Sequence, residues 1–370
     1  METFKDSGLQ PSIVKGVEAL GFETPTPIQK LSIEHLLENE TDLIAFAQTG
    51  TGKTAAFSLP ILHNLDPDVQ HVQAIILAPT RELCLQIGND IASYTKFMDV
   101  KVTSVYGGAP ITKQIKELQG RPQIVVGTPG RTLDLIQRRK LRIEDVQFLV
   151  LDEADEMLSM GFKQDLNRIL KYTEGNRNTW LFSATMPEEI KKIVKKYMAV
   201  DAPRVEVNKN ALVNENITHQ YIQTSIKEKA NLLVKLLESR GTERGIIFCR
   251  TKAGTQNLVS ELQSKGLSVA ALEGDMQQRD REKVMRAFKK SNLQTLVCTD
   301  VAARGIDVNN LAYVIHHQLP EQIDYYTHRS GRTARAGKTG VSLALIIPGE
   351  MHRINELRKS LGIQFKEVFL

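Results

Sequence analysis

The sequence predicts an α/β protein of two tandem domains, each a mostly parallel sheet with helices on both faces. Three observations carry this expectation. Short apolar runs alternate with helical segments along the chain, the pattern of parallel strands joined by crossover helices. At 370 residues the chain is longer than one ordinary core requires, and such a length suggests about two domains. The alternation lapses once, over 201–216, where proline, asparagine and alternating charge replace it. The lapse separates an N-terminal domain, 1–206, from a C-terminal domain, 217–370, with a flexible linker at 207–216.

Composition narrows the class. Hydrophobic residues make up 41% and charged residues 25%, ordinary values for a globular protein. The net charge of +5 permits an anionic partner without demanding one. Cys84, Cys249 and Cys298 are far apart and show no zinc-ligand spacing. Cys249 and Cys298 each close an apolar run and read as small core residues, which points to a reducing compartment. The N-terminus lacks a signal-peptide core, and no stretch approaches the roughly 18 apolar residues of a membrane span. A cytoplasmic protein with no membrane partner is expected.

In chain order, Leu9, Ile13, Val17 and Leu20 fall at helical spacing, with Pro11 tolerated in the first turn and Gly21 as the stop. Phe22-Glu-Thr-Pro-Thr-Pro-Ile-Gln29 follows, held extended by its prolines. Phe22 could stack on a purine and Gln29 could pair with an adenine edge; a turn with a packed phenylalanine fits this stretch equally. The apolar run Leu43–Phe46 then enters Ala47-Gln48-Thr49-Gly50-Thr51-Gly52-Lys53-Thr54, and Ala55–Leu62 suits a helix. Strand, glycine-rich loop, Lys-Thr and helix form a phosphate-binding loop. Gly50 and Gly52 let backbone N–H groups converge, and the helix N-terminus adds partial positive charge. Lys53 suits the β- and γ-phosphates, and the Thr54 hydroxyl suits Mg2+.

Further strands are expected at Ala74–Ala78, Val102–Val105, Ile124–Val126, Phe148–Leu151 and Trp180–Phe182, with helices at Glu82–Tyr94 and Lys163–Lys171. In a parallel sheet, function collects at the carboxyl ends of strands. Those ends carry Thr80 and Arg81, then Gly107 and Gly108, then Thr128 and Arg131. Hydroxyls, guanidinium groups and exposed N–H groups suit a phosphodiester backbone. After Leu151 comes Asp152-Glu153-Ala154-Asp155. An acidic pair directly after an apolar strand, downstream of a phosphate loop, assigns Asp152 to Mg2+ and Glu153 to the attacking water. Asp155 is left to pair with the other domain. Ser183 and Thr185 follow the next strand.

The second half repeats the rhythm with strands at Gly245–Cys249, Val269–Leu272, Thr295–Cys298, Tyr313–Ile315 and Ser342–Ile347, and has no second Gly-Lys-Thr. Thr299–Asp307 follows one strand. His328–Arg335 holds Arg329, Arg332 and Arg335. Arg332 and Arg335 are three apart and would share a face on a helical turn. That geometry suits a phosphate clamp with an arginine finger.

Taken together, the chain resembles the DEAD-box ATP-dependent RNA helicases of superfamily 2 over essentially its full length. The motifs run in family order: Gly21–Gln29 with upstream Phe4, Ala47–Thr54, Pro79–Leu83, Gly107-Gly108, Thr128–Arg131, Asp152–Asp155, Ser183–Thr185, Ile247–Thr251, Gln278 with Arg281, Thr299–Asp307 and His328–Arg335. The resemblance implies two RecA-like domains and makes alanine the usual residue at position 47. It assigns Phe22 and Gln29 to adenine, Ala47–Thr54 to the phosphates, Asp307 to the ribose, Thr54 and Asp152 to Mg2+, and Glu153 to water activation. Lys53, Asp152, Arg332 and Arg335 complete the implied catalytic set. RNA would lie on Thr80, Arg81, Gly108, Thr128 and Arg131, then on Arg250, Gln278, Arg281, Thr299 and Asp300. Ser183, Thr185, Asp155 and His328 would couple hydrolysis to strand separation.

Two positions depart from the family pattern. Glu273 stands where histidine is common, and Ala334 where glycine is frequent. The implied activity is RNA-dependent ATP hydrolysis with local unwinding of short duplexes by a monomer of little sequence preference. An ATP-gated RNA clamp shares the same motifs, and a DNA helicase or a P-loop kinase fits them less well. The RNA target and any RNA–protein or ribosomal partner stay open at this level.

Overall fold

The computed structural model describes residues 1–47, 50–175, 177–206, 216–274, 276–303, 311–334 and 338–369, and of Asp324 the backbone only. The chain forms two compact units, Met1–Val207 and Asn208–Leu370.

The first unit holds β1 (Leu43–Phe46), β2 (Ala74–Leu77), β3 (Val102–Val105), β4 (Ile124–Gly127), β5 (Phe148–Asp152), β6 (Asn178–Ser183) and β7 (Arg204–Glu206). They form one parallel sheet in the order β3-β4-β2-β5-β6-β1-β7. Strands buried on both faces explain the continuous apolar runs. In β2, Ala74 and Ile76 pack into one core with Phe57, Phe148 and Trp180, while Ile75 and Leu77 pack into the other with Leu149, Leu151 and Leu181.

The second unit holds β8 (Ile217–Gln223), β9 (Gly245–Phe248), β10 (Val269–Leu272), β11 (Thr295–Cys298), β12 (Tyr313–His316), β13 (Gly340–Ile346) and β14 (Phe365–Glu367). These too are parallel, in the order β10-β11-β9-β12-β13-β8-β14. The architecture is the expected one: two seven-stranded RecA-like sheets.

Differences from the sequence expectation have local causes. Three strands are not among those expected. β7 lies inside the stretch where the alternation lapses, yet it pairs with β1 as an edge strand. β8 reads Ile-Thr-His-Gln-Tyr-Ile-Gln and β14 has three residues, so neither stands out by hydrophobicity. The first helix runs Pro11–Glu18 with proline at its start, and it ends before Leu20, which is 44% exposed.

Beneath the helix Ile323–Ser330 the second unit buries a polar chain. Tyr326 OH lies 2.7 Å from His219 Nδ1, its ring stacks on His316 at 4.6 Å, and His316 Nε2 lies 3.0 Å from Ser342 Oγ. Both histidines are at least nine-tenths buried. Burial pushes His219 down to about 4, and burial, then Arg329, pushes His316 well below the ordinary range. An unfolded histidine titrates near 6.5. As pH falls below that value the unfolded chain takes up protons that the folded unit refuses, so stability falls with pH down to about 4. Urea unfolding at pH 7 and pH 5 is therefore expected to show a loss of stability that is smaller in His219→Gln. Equal losses in the two proteins would contradict the buried neutral histidine.

Candidate ATP and RNA sites

Sheet order divides the functional edge of the first unit. The residues expected to meet phosphate and Mg2+ follow β1 and β5, with the coupling candidates Ser183 and Thr185 after β6 between them, whereas those expected to meet RNA follow β2, β3 and β4, which are neighbours.

On the nucleotide side, Ala47 is buried and its N–H donates to Ser183 O at 3.1 Å. Gly50 and Gly52 have φ of 88° and 91°, a region that favours glycine. Gly52 caps the helix Lys53–Asn64. A Cβ on Gly52 would stand 2.3 Å from Gln29 Nε2. That closeness reflects a clasp between the proline-held segment and the loop. Gln29 Nε2 donates to Gly52 O at 3.0 Å, Thr26 Oγ1 donates to Thr51 O at 2.8 Å, and Gln29 Oε1 accepts from Thr26 N at 2.8 Å. An amide offers two donors and two acceptor positions, so one of each remains to read a base edge. Phe22 is 52% exposed, as a stacking platform must be, while Phe4 is core. Gln48 and Thr49 lie outside the described residues.

Lys53 Nζ stands 3.6 Å from Asp152 Oδ1, and both side chains are almost wholly out of water. Burial alone would depress Lys53, but the Asp152, Glu153 and Asp155 carboxylates outweigh it and the ammonium is held. Burial raises Asp152, with Lys53 opposing and Glu153 adding to the rise. The three carboxylates together keep the Lys53 ammonium protonated.

Glu153 takes a left-handed conformation, φ 50°, at the turn from β5 into Ala154–Ser159. A non-glycine residue there carries roughly 1–2 kcal/mol of strain. Asp155, expected to pair with the other domain, is engaged within the unit. Its Oδ2 accepts from Thr185 N at 2.9 Å and from Thr185 Oγ1 at 2.8 Å, and its N–H donates to Ser183 Oγ at 3.3 Å. The ends of β5 and β6 are thereby joined.

On the RNA side, Thr80 Oγ1 caps its helix, accepting from Leu83 N at 3.3 Å. Arg81 lies over the Tyr106 ring at 4.7 Å. Gly108 has φ 74° and nothing near its Cα on the side-chain side. Arg131 donates to Gln114 Oε1 at 2.7 Å and to Ala109 O at 3.1 Å. Gln114, which sequence reasoning missed, also bonds Tyr106 N and O. It ties the Tyr106–Ala109 loop to Arg131; a glutamine on the face that also carries Ile111, Ile115 and Leu118 is a faint signal. Thr128 stands at the N-cap of Pro129–Gln137 and is buried.

The second sheet repeats the layout. RNA candidates follow β10, β11 and β9, again three neighbours. Gln278 opens the helix Gln278–Lys289 and bonds Glu282 at 3.3 Å. Arg281 is buried and donates to Ala302 O at 2.9 Å. Thr299 Oγ1 accepts from Ala302 N at 3.4 Å. Asp300 receives both Arg329 Nε and Nη2, at 2.5 and 2.7 Å. Arg250 Nε donates to Leu319 O at 3.0 Å. The departing residue Glu273 is buried, accepts from Gln256 through Oε2 at 3.0 Å, and its Oε1 finds no donor among the described residues.

One expectation is corrected. The helix carrying His328 ends at Ser330, and Gly331 is its cap. Arg332 therefore lies in the following turn rather than on a helical face. The chain turns there because Leu311 bridges Thr333. Ala334, where glycine is frequent, has φ 56° and is buried, which explains the preference for glycine. Arg335 and Asp307 lie outside the described residues.

Known proteins match both units of the chain. The DEAD/DEAH box helicase family model matches residues 26–193, and the Helicase conserved C-terminal domain model matches 228–337. The DEAD-box ATP-dependent RNA helicase CshA of Bacillus cereus is 41% identical over 360 residues, covering 97% of this chain and 68% of that protein. CshA of Listeria monocytogenes is 44% identical over 353 residues, covering 95% and 67%. The structure of S. cerevisiae Dbp5 bound to RNA and ADP BeF3 superposes with a TM-score of 0.91 at 32% identity, covering 100% of this chain and 96% of that one. Mss116p bound to ssRNA and AMP-PNP gives 0.87 at 31%, covering 99% and 79%. With the phosphate loop, the Asp-Glu-Ala-Asp turn and two matching sheets all present, the chain belongs to the DEAD-box family of ATP-dependent RNA helicases.

Proposed function

We propose that the chain pries short RNA duplexes apart locally, using ATP, and so remodels RNA or RNA–protein complexes. The observation that carries this reading is the division of both sheet edges. In the first unit three neighbouring strand ends present hydroxyls, glycine or arginine suited to a phosphodiester backbone, beside the ends that carry the phosphate loop and the acidic turn, and in the second the RNA candidates again follow three neighbouring strands. Contacts of that kind read phosphate and 2′-hydroxyl groups rather than base sequence.

In this reading Phe22 stacks on the adenine and Gln29 pairs with its edge. The Ala47–Thr54 loop and Lys53 grip the phosphates. Thr54 and Asp152 offer the few hard oxygens that Mg2+ takes from a protein when phosphate and water supply the rest. Bound there, Mg2+ would neutralise phosphate charge. Glu153 orients the attacking water and takes its proton. ATP and RNA together draw the two units shut, so that Arg332 and Arg335 stabilise the charge developing on the γ-phosphate and Asp307 meets the ribose. Closure bends one RNA strand out of A-form geometry, and its partner is released. Asp155, Thr185, Ser183 and His328 transmit the nucleotide's state. The protein acts as a cytoplasmic monomer, and its RNA–protein or ribosomal partners follow from the RNA it meets.

Glu153→Gln is expected to lower RNA-stimulated turnover by at least about 100-fold with ATP still bound; retained turnover refutes the role of Glu153. In Gly52→Ala the clash with Gln29 and the positive φ should weaken affinity for a fluorescent ATP analogue by at least about tenfold. Native affinity in that variant would contradict the grip assigned to the loop. Strand displacement on a short RNA duplex separates the two modes of action. Displacement supports unwinding, whereas slow release of intact duplex makes the chain an ATP-gated clamp.

A further inference from the structure

The segment between β12 and the helix Ile323–Ser330 is irregular, yet five consecutive backbone carbonyls in it each receive a cation. Lys229 Nζ donates to His317 O at 2.8 Å and also to Leu345 O at 2.7 Å. Arg329 Nη1 donates to Gln318 O at 2.8 Å. Arg250 Nε donates to Leu319 O at 3.0 Å, and its N–H donates to Gln318 Oε1 at 2.9 Å. Arg353 Nη2 donates to Pro320 O and, at 3.0 Å, to Glu321 O. The four cations come from four places: the helix Lys229–Ser239, the helix Ile323–Ser330, the end of β9 and the helix Met351–Leu361.

Buried carbonyls outside a ladder need donors. Water or a turn supplies them in most loops. Here Leu319 and Pro320 are buried, and charge-assisted bonds do the work instead. The result is a strap fixed from several sides. Two of its cations belong to the RNA side of the unit. Arg250 follows β9, and Arg329 is locked to Asp300 after β11 through both carboxylate oxygens. The strap leads directly into the helix that bears His328 and ends beside Arg332. Lys229 and Arg353 belong to neither site, and Lys229 is 5% exposed, an unusual place for an ammonium group unless its partners require it.

We propose that the strap 317–321 is a rigid coupler that fixes Arg332 relative to the RNA candidates Arg250 and Asp300, and that Lys229 and Arg353 are positioning residues for ATP hydrolysis. The inference rests on the proposed role of Arg332. Arg353 is the better probe because it is half-buried and binds only backbone oxygens of the strap among the contacts described. In the full chain, Arg353→Met should lower RNA-stimulated kcat by about tenfold, since small misplacement of a transition-state group acts on kcat. The KM for ATP should change by less than about twofold, because ground-state grip is separate from that group. Arg353→Lys should restore kcat to within about threefold, as an ammonium can donate to both carbonyls. Lys229→Met should show the same split between kcat and KM.

Arg332→Gln is the control. If it abolishes stimulated turnover while Arg353→Met retains native kcat, or loses only thermal stability, the coupler is refuted and the role of Arg332 stands. If Arg332→Gln itself turns over at the native rate, the proposed hydrolysis mechanism falls first.

Discussion

A lysine ammonium and a carboxylate 3.6 Å apart, both nearly removed from water, govern the first unit. Taking such charges out of water is costly, and their mutual attraction repays it only in part. The arrangement holds because the fold brings them together from two directions. Lys53 opens the helix after β1, Asp152 closes β5, and β6 lies between those strands in the sheet. Neither can move without disturbing the central strands. In the proposed function, a triphosphate and its divalent cation would give each group a second partner of opposite charge.

The second unit has the same strand order without the phosphate loop. Among the described residues, much of its positive charge is engaged within the unit. Arg329 is spent on Asp300 and a carbonyl, and Arg250 on the strap. Much of the basic character that suggests RNA binding is thus structural first. Arg281, buried on Ala302 O, is a further case. The arginines of such a motif divide between those that face a ligand and those that hold the frame, and spacing alone does not separate them.

The central strands were legible because a strand buried on both faces is apolar along its length, as in Ala74–Leu77 and Gly245–Phe248. The phosphate loop and the acidic turn were legible because their chemistry fixes residue types at fixed spacing. The edge strands β7 and β14 and the polar β8 were not, since pairing rather than hydrophobicity defines them. The clasp of Thr26 and Gln29 on the phosphate loop, the Gln114 bridge and the strap share one property. Each joins a side chain to a backbone group distant in sequence, and no local pattern encodes such a contact. The end of the helix at Ser330 was missed because the bridge between Leu311 and Thr333, not helix propensity, sets it.

The central claim is that the first unit grips the triphosphate while the second supplies the guanidinium groups that make hydrolysis fast. The most direct measurement compares RNA-stimulated ATP hydrolysis by the fragment 1–207, shown to be folded by its thermal transition, with that of the intact chain. The account predicts that the fragment binds nucleotide but turns over at least about 1,000-fold more slowly, the scale of a missing arginine finger. Turnover by the fragment at the intact rate would contradict it.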